Sequence, residues 1–204
     1  VYLGGSCGAH IHTGWIEPIC SFLALLTGKP VRGEKTREEM FLSCGRHPMV
    51  MKLKTGVKKE GSLVAQYFDV IDETGAYAVS GESKMVLAGG WFLSMYKCPN
   101  MKFTGKTVYT NTPPLTAMRG AGNPQVNFAV ESQMDIIAEE LGIDPISLRL
   151  KNHIDKGDTF YGQGPDVICV VQSCGTEELL KWGAEAVGWG TRGDHRTDRP
   201  WVKR

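Results

Sequence analysis

Leu115-Thr116-Ala117-Met118-Arg119-Gly120-Ala121-Gly122-Asn123-Pro124-Gln125 joins a threonine-rich, strand-like segment, Phe103 to Thr112, to the longest helical pattern in the chain. Arg119 stands among small residues, so little bulk shields its guanidinium or the backbone beside it. Gly120 and Gly122 permit positive φ and close approach of another group. Pro124 suits the first position of a helix, with Asn123 as its cap. A cation beside free N–H groups at a helix N-terminus favours an anion or an oxo ligand. The alternative is a turn whose arginine is solvated or pairs with a carboxylate.

Downstream, Val126, Val130, Ile137 and Leu141 fall on one face of a helix over 123–141 that Gly142 ends. Asp144-Pro145 caps a short helix through Asn152. Glu177 to Val187 reads as a last helix, with Leu179, Leu180 and Trp182 as core candidates. Upstream, Met49 to Val57 and Ser62 to Ile71 alternate as two strands about a turn at Lys58-Lys59-Glu60-Gly61, and Glu73 to Tyr77 turns the chain again. Ser83 to Met95 carries a helical pattern weakened by Gly89 and Gly90. Nearer the start, Trp15 to Thr27 predicts a helix stopped by Gly28, with Ile19, Phe22, Leu23 and Leu26 as a core face. Pro30 to Lys35 reads as a strand, and Thr36-Arg37-Glu38-Glu39 as a capping box that gives its acidic pair a structural task. Strands and helices mix without strict βαβ alternation. The expected class is α+β: a mixed sheet from 47–71 and 103–112 packed against the helices at 15–27 and 123–141.

Composition narrows the partners. With 23 basic and 22 acidic residues the net charge is +1, and no basic block stands out, which argues against nucleic acid or an anionic membrane surface. No apolar run approaches the roughly 20 residues that span a bilayer. Glycine, at 25 of 204 residues, exceeds its usual share of about 7%. Cys7, Cys20, Cys44, Cys98, Cys169 and Cys174 form no CxxC pair and match no standard zinc or iron–sulfur spacing. In a chain of this length that is not cysteine-dense, reduced thiols in a cytoplasmic protein are expected. Val1-Tyr2-Leu3 reads as the middle of a strand, and the charged run from Arg192 to Arg204 closes no element. The expectation is a piece of a longer polypeptide.

Gly4-Gly5-Ser6-Cys7-Gly8-Ala9-His10 is a glycine loop after a short strand, suited either to wrapping a phosphate or flat cofactor with its N–H groups or to a plain turn. It lacks the GxGxxG and GK[ST] spacings of nucleotide folds. His10 and His12 would share a strand face, but no third metal ligand is evident, and no metal site is assigned. His47 has no partner carboxylate at a diagnostic spacing and reads as a structural histidine rather than a general base.

Taken in order, these stretches resemble the molybdenum-cofactor-binding large subunit of the xanthine dehydrogenase/aldehyde oxidase family, the molybdenum hydroxylases. The glycine loop resembles that family's GGGFGGK, and Thr36 to Glu39 with Arg46-His47-Pro48 resembles its RxE…RHP segment. Thr74-Gly75-Ala76-Tyr77 is similar to its DTGAY turn, Ala117 to Gln125 to its AFRGFGxPQ, and Asp144 to Asn152 to its DPxxxRxxN. Together the matches cover nearly all of the chain.

The resemblance implies a molybdopterin, in dinucleotide form in some members, whose molybdenum hydroxylates an electron-poor carbon with oxygen drawn from water. Electrons would leave through iron–sulfur clusters toward FAD on partner chains or domains. It implies that Gly4, Gly5, Ser6, Cys7, Gly8, Arg119 and Gly120 bind the cofactor and that Arg119 and Ala121 face a small-molecule substrate, an N-heterocycle or an aldehyde. It also implies that 1–204 is the first part of a molybdopterin-binding domain, needing the remainder of the large subunit and iron–sulfur and flavin partners. No stretch resembles the GxGE context of the family's catalytic glutamate, so no catalytic residue is assigned here and the piece alone is expected to be inactive.

Departures bear on specificity. Cys7 replaces a phenylalanine, as a packing substitute or a soft ligand, Ala121 replaces an aromatic, and Ser6 and His10 replace a glycine and a lysine. With Ala121 toward substrate, the pocket is wider and lacks a stacking ring. Two other readings stand beside this one: a degenerate or isolated domain without cofactor or activity, and an unrelated binder of anions or nucleotides.

Overall fold

The computed structural model describes Gly8, residues 13–162 and residues 167–191. Its centre is a three-stranded mixed sheet, β1 (Met49–Val57), β2 (Leu63–Gly75) and β3 (Asn100–Tyr109), with β2 in the middle. β1 pairs antiparallel with β2 through the predicted turn, where Lys58 N–H donates to the Ser62 carbonyl and Gly61 takes φ +89°. β3 runs parallel to β2, because the helix α3 (Gly81–Phe92) carries the chain back across the sheet. β2 extends beyond the predicted Ile71: its inward row continues Phe68, Val70, Asp72, Thr74, all buried. Two polar residues in that row hide the strand from an apolar-alternation reading.

The register sets the core. Leu53, Phe68 and Phe103 stand abreast across the three strands. The Phe68 ring lies 5.0 Å from Phe92 and 6.0 Å from Phe103. A Cβ on Gly89 would sit 2.8 Å from the Phe103 ring, so the glycine that weakens the α3 pattern is the one that lets the helix lie close to the sheet. Against α3 and β1 packs α4 (Asn123–Leu141), burying Val126, Val130, Met134 and Ile137. Its end at Gly142, φ +64°, is as predicted; its start is not. Gly122, φ +95°, is the N-cap, Asn123 is already helical, and the Asn123 side chain makes no capping bond.

Asp144 caps α5 (Pro145–Asn152) through the Ser147 N–H at 2.8 Å. Arg149 ties α5 to α4 through Glu131 at 2.7 Å and Asp135 at 2.8 Å. Buried Asn152 holds the hairpin, accepting from Leu63 N–H and donating to the Gly61 carbonyl. A small hairpin, β4 (Thr159–Phe160) with β5 (Cys169–Val170), precedes α6 (Thr176–Ala186).

The N-terminal part departs from expectation. α1 (Ile16–Thr27) and α2 (Arg37–Ser43) form, α2 with both bonds of the capping box, but neither buries a residue. The predicted core face of α1 is outward: Phe22 is 61% exposed and Leu26 66%. Periodicity registers an apolar stripe without saying what covers it. Leu179 and Trp182 of α6 are likewise exposed, and Pro30 to Lys35 forms no strand. The mixed-sheet α+β class stands.

Candidate functional site

Of the glycine loop, Gly4, Gly5, Ser6 and Cys7 lie outside the described residues, as do His10 and His12. Gly8 is described, and its position is informative. It has φ +108°, and a Cβ there would fall 1.9 Å from the Ala117 carbonyl oxygen. The two glycine-bearing stretches therefore touch, and only glycine fits at that contact.

The segment 113–122 is held from three sides by backbone. Leu115 N–H donates to the Thr74 carbonyl and Thr116 N–H to the Gly45 carbonyl. Gly75, φ +74°, lies so near that a Cβ would meet the Pro113 carbonyl at 2.3 Å. From there the chain makes two overlapping turns, Ala121 N–H to the Met118 carbonyl at 2.8 Å and Asn123 N–H to the Gly120 carbonyl at 3.0 Å. Gly120, Ala121 and Gly122 have φ of +95°, +46° and +95°. Ala121 is the single positive-φ residue other than glycine among the described residues, a conformation that costs an alanine about 1–2 kcal/mol. Gly122 rests on α3, where an added Cβ would meet the Lys84 carbonyl at 3.1 Å. Among the described residues, the N–H groups of Ala117, Met118, Arg119, Gly120 and Gly122 have no acceptor. The Arg119 side chain is exposed and meets no carboxylate among the described residues, which leaves its charge available.

Below the turn is a polar chain that sequence reading missed. Arg46 donates through Nη2 to the Arg119 carbonyl at 2.9 Å and through Nη1 to Gln125 Oε1 at 3.2 Å. Gln125 Nε2 donates to the His47 carbonyl at 2.9 Å. His47 is buried, its Nδ1 3.1 Å from Asp72 Oδ2 with the two side chains 1% and 0% exposed. A structural role for His47 fits, but the carboxylate judged absent is there, 25 residues away on β2. The available signal was Asp72 itself, a charged residue in an inward row. His47 Nε2, Asp72 Oδ1 and Asn123 Oδ1 are buried without a hydrogen-bond partner among the described residues.

Lys84 of α3 completes this buried group, its ammonium donating to the Ser80 carbonyl and hydroxyl. Burial pulls the Lys84 pKa below its usual value, and the Asp72 charge works against that pull. At the other side of the segment, Glu73 accepts from the Thr110 and Thr112 hydroxyls, which hold its carboxyl below the ordinary range. No group of three metal-ligating side chains occurs among the described residues. Surface grooves of about 660 Å³ beside Tyr67 and Lys102 and about 790 Å³ beside Tyr96 and Asn152 lie elsewhere on the chain.

Residues 1–153, which include both glycine-bearing stretches, match the molybdopterin cofactor-binding domain. The chain belongs to that family. This molybdopterin-binding domain is 38% identical over 178 residues to the xanthine dehydrogenase molybdenum-binding subunit of Escherichia coli O157:H7, covering 86% of the chain and 23% of that subunit. It is 39% identical over 150 residues to the nicotinate dehydrogenase large molybdopterin subunit of Eubacterium barkeri, covering 73% and 35%. Among solved structures, the aldehyde oxidoreductase from Desulfovibrio gigas superposes with a TM-score of 0.78 at 31% identity, over 92% of the chain and 20% of that protein. The domain thus spans between 20% and 35% of the length of these relatives.

The residues present fit a molybdopterin. A bend with uncovered N–H donors beside an exposed arginine suits an anionic, oxo-bearing group, and Gly8 brings part of the first loop to the same place.

Proposed function

We propose that this domain forms one wall of the cofactor site in the large subunit of a molybdenum-dependent oxidoreductase, which hydroxylates an N-heterocycle or aldehyde-type substrate with oxygen from water. The observation that carries this is the Gly8–Ala117 contact, which sets the end of the glycine loop against a bend rich in free N–H groups. In this reading Gly4, Gly5, Ser6, Cys7 and Gly8 from the first loop and Arg119 and Gly120 from the second bind the cofactor. When bound, the cofactor supplies the oxidation of carbon; the chain supplies position and electrostatics. Arg119 offers an exposed cation beside the N–H groups, and Ala121, whose small side chain leaves room, faces the substrate.

The rest of the reaction is assigned elsewhere. Residues 1–204 act as the first part of the binding domain, and the catalytic base comes from the remainder of the large subunit. That remainder also covers the apolar side chains of α1 and α2: Phe22, Leu26, Phe41 and Leu42 are each more than 60% exposed. Iron–sulfur and FAD-bearing subunits or domains take the electrons. Cys20, Cys44, Cys98, Cys169 and Cys174 are free thiols, in keeping with a cytoplasmic setting. No helix among the described residues is long and apolar enough to cross a membrane.

The test uses the natural full-length protein. Molybdenum analysis and pterin fluorescence should both be positive, and turnover of nicotinate or benzaldehyde in isotopically labelled water should place the label in the product. Absence of molybdenum and pterin would overturn the assignment. Unlabelled product would overturn the reaction.

A further inference from the structure

We propose that Arg46 and Gln125 are positioning residues: together they lock the 119–122 bend so that the Gly120 N–H faces the cofactor. The proposal rests on the cofactor reading above, and its own physical basis is separate. A peptide unit is planar and trans, so its carbonyl and N–H point in opposite directions. The Arg119 carbonyl and the Gly120 N–H belong to one such unit. Arg46 Nη2 grips that carbonyl at 2.9 Å, and thereby aims the Gly120 N–H, which has no acceptor among the described residues, the opposite way.

The grip is itself fixed. The second arm of the guanidinium fork donates to Gln125 Oε1 at 3.2 Å, while Gln125 Nε2 donates to the His47 carbonyl at 2.9 Å. His47 is anchored to the central strand by its contact with Asp72. A side chain at the surface is thus tied, through one glutamine, to the most buried part of the sheet. The bend needs such a tie. Ala121 holds φ +46° between two left-handed glycines, and a left-handed alanine persists only where its surroundings enforce it. The two turn bonds orient the neighbouring peptides but leave the Arg119–Gly120 peptide to Arg46.

The fork geometry separates positioning from mere charge. Lysine keeps the charge but has no planar pair of donors to reach both the Gln125 oxygen and the Arg119 carbonyl. The experiment compares Arg46→Ala, Arg46→Lys and Gln125→Ala with wild type in the full-length protein, reading amide hydrogen exchange at Ala121 and Asn123, molybdenum and pterin content, and the molybdenum EPR signal of dithionite-reduced protein. Exchange at Ala121 and Asn123, the two hydrogen-bonded amides of the bend, should quicken about ten- to a hundredfold in Arg46→Ala, the factor worth one charge-assisted hydrogen bond, with Arg46→Lys close behind. Protection across β1 and β2 should be unchanged, and in loaded protein the EPR signal should shift or broaden. Full rescue by Arg46→Lys would overturn the proposal in favour of a charge role. So would unchanged exchange, or loss of protection spread through the sheet. A wild type without molybdenum and pterin would refute the cofactor reading alone, since the exchange comparison still decides the clamp.

Discussion

Replacing His47 by leucine should be among the most damaging single changes in the domain. The variant leaves the Asp72 carboxylate fully buried, with Oδ2 stripped of its partner at 3.1 Å and Oδ1 already without one among the described residues. Stranding a buried carboxyl group by removing its partner costs about 3–5 kcal/mol. At about 1.4 kcal/mol per factor of ten, that raises local opening by roughly two to three and a half orders of magnitude. Replacing both members removes the stranded charge, so His47→Leu/Asp72→Leu should cost less than His47→Leu alone. It will not be free, because Lys84 keeps its ammonium buried beside Ser80 after losing the Asp72 charge. Hydrogen exchange at Phe68 and Val70, the inward neighbours on β2, reads the opening free energy directly. Effects of the two single changes that simply add in the double would refute the claim that the residues act as a pair.

Phe68→Ala removes a fully buried ring that meets Phe92 and Phe103, and should destabilise the core by about 3–5 kcal/mol in denaturant titrations. Gly89→Val should cost about 1–3 kcal/mol by forcing α3 off the Phe103 ring, whereas the same change at Gly183 of α6, where nothing lies within 4 Å, should be neutral or slightly stabilising, because valine forms helix somewhat better than glycine. The Glu73 carboxyl is depressed in the folded state, so its bonds to Thr110 and Thr112 stabilise fully above the unfolded carboxylate range and fail as pH falls through the lower folded value. Protection factors over 110–112, corrected for the intrinsic slowing of exchange in acid, should therefore fall as pH is lowered through the carboxylate range, and Glu73→Gln should weaken that dependence.

What the sequence yields here follows from how local each signal is. The cap of α4 was not legible, because Gly122 takes that place through a positive φ instead of Asn123 through its side chain; the body and the end of α4 were, because four apolar positions at helical spacing and a terminal glycine are all local. The capping box at Thr36 and the cap at Asp144 were legible for the same reason. The outward faces of α1 and α6 were misjudged because an apolar stripe specifies burial without naming the partner. The site divides the same way. Glycines and Arg119 marked the bend, but the Arg46–Gln125 and His47–Asp72 contacts join residues 79 and 25 positions apart, beyond any spacing rule. The left-handed Ala121 was not legible either, since alanine carries no mark of positive φ.

The central claim is that the wall formed by Gly8 and the 117–122 bend faces a pterin-bound metal. Anomalous diffraction at the molybdenum edge from crystals of the full-length, loaded protein locates that metal directly. The account predicts the peak in the space bordered by Gly8, Arg119 and Gly120. A peak elsewhere, with this wall open to solvent, would contradict it.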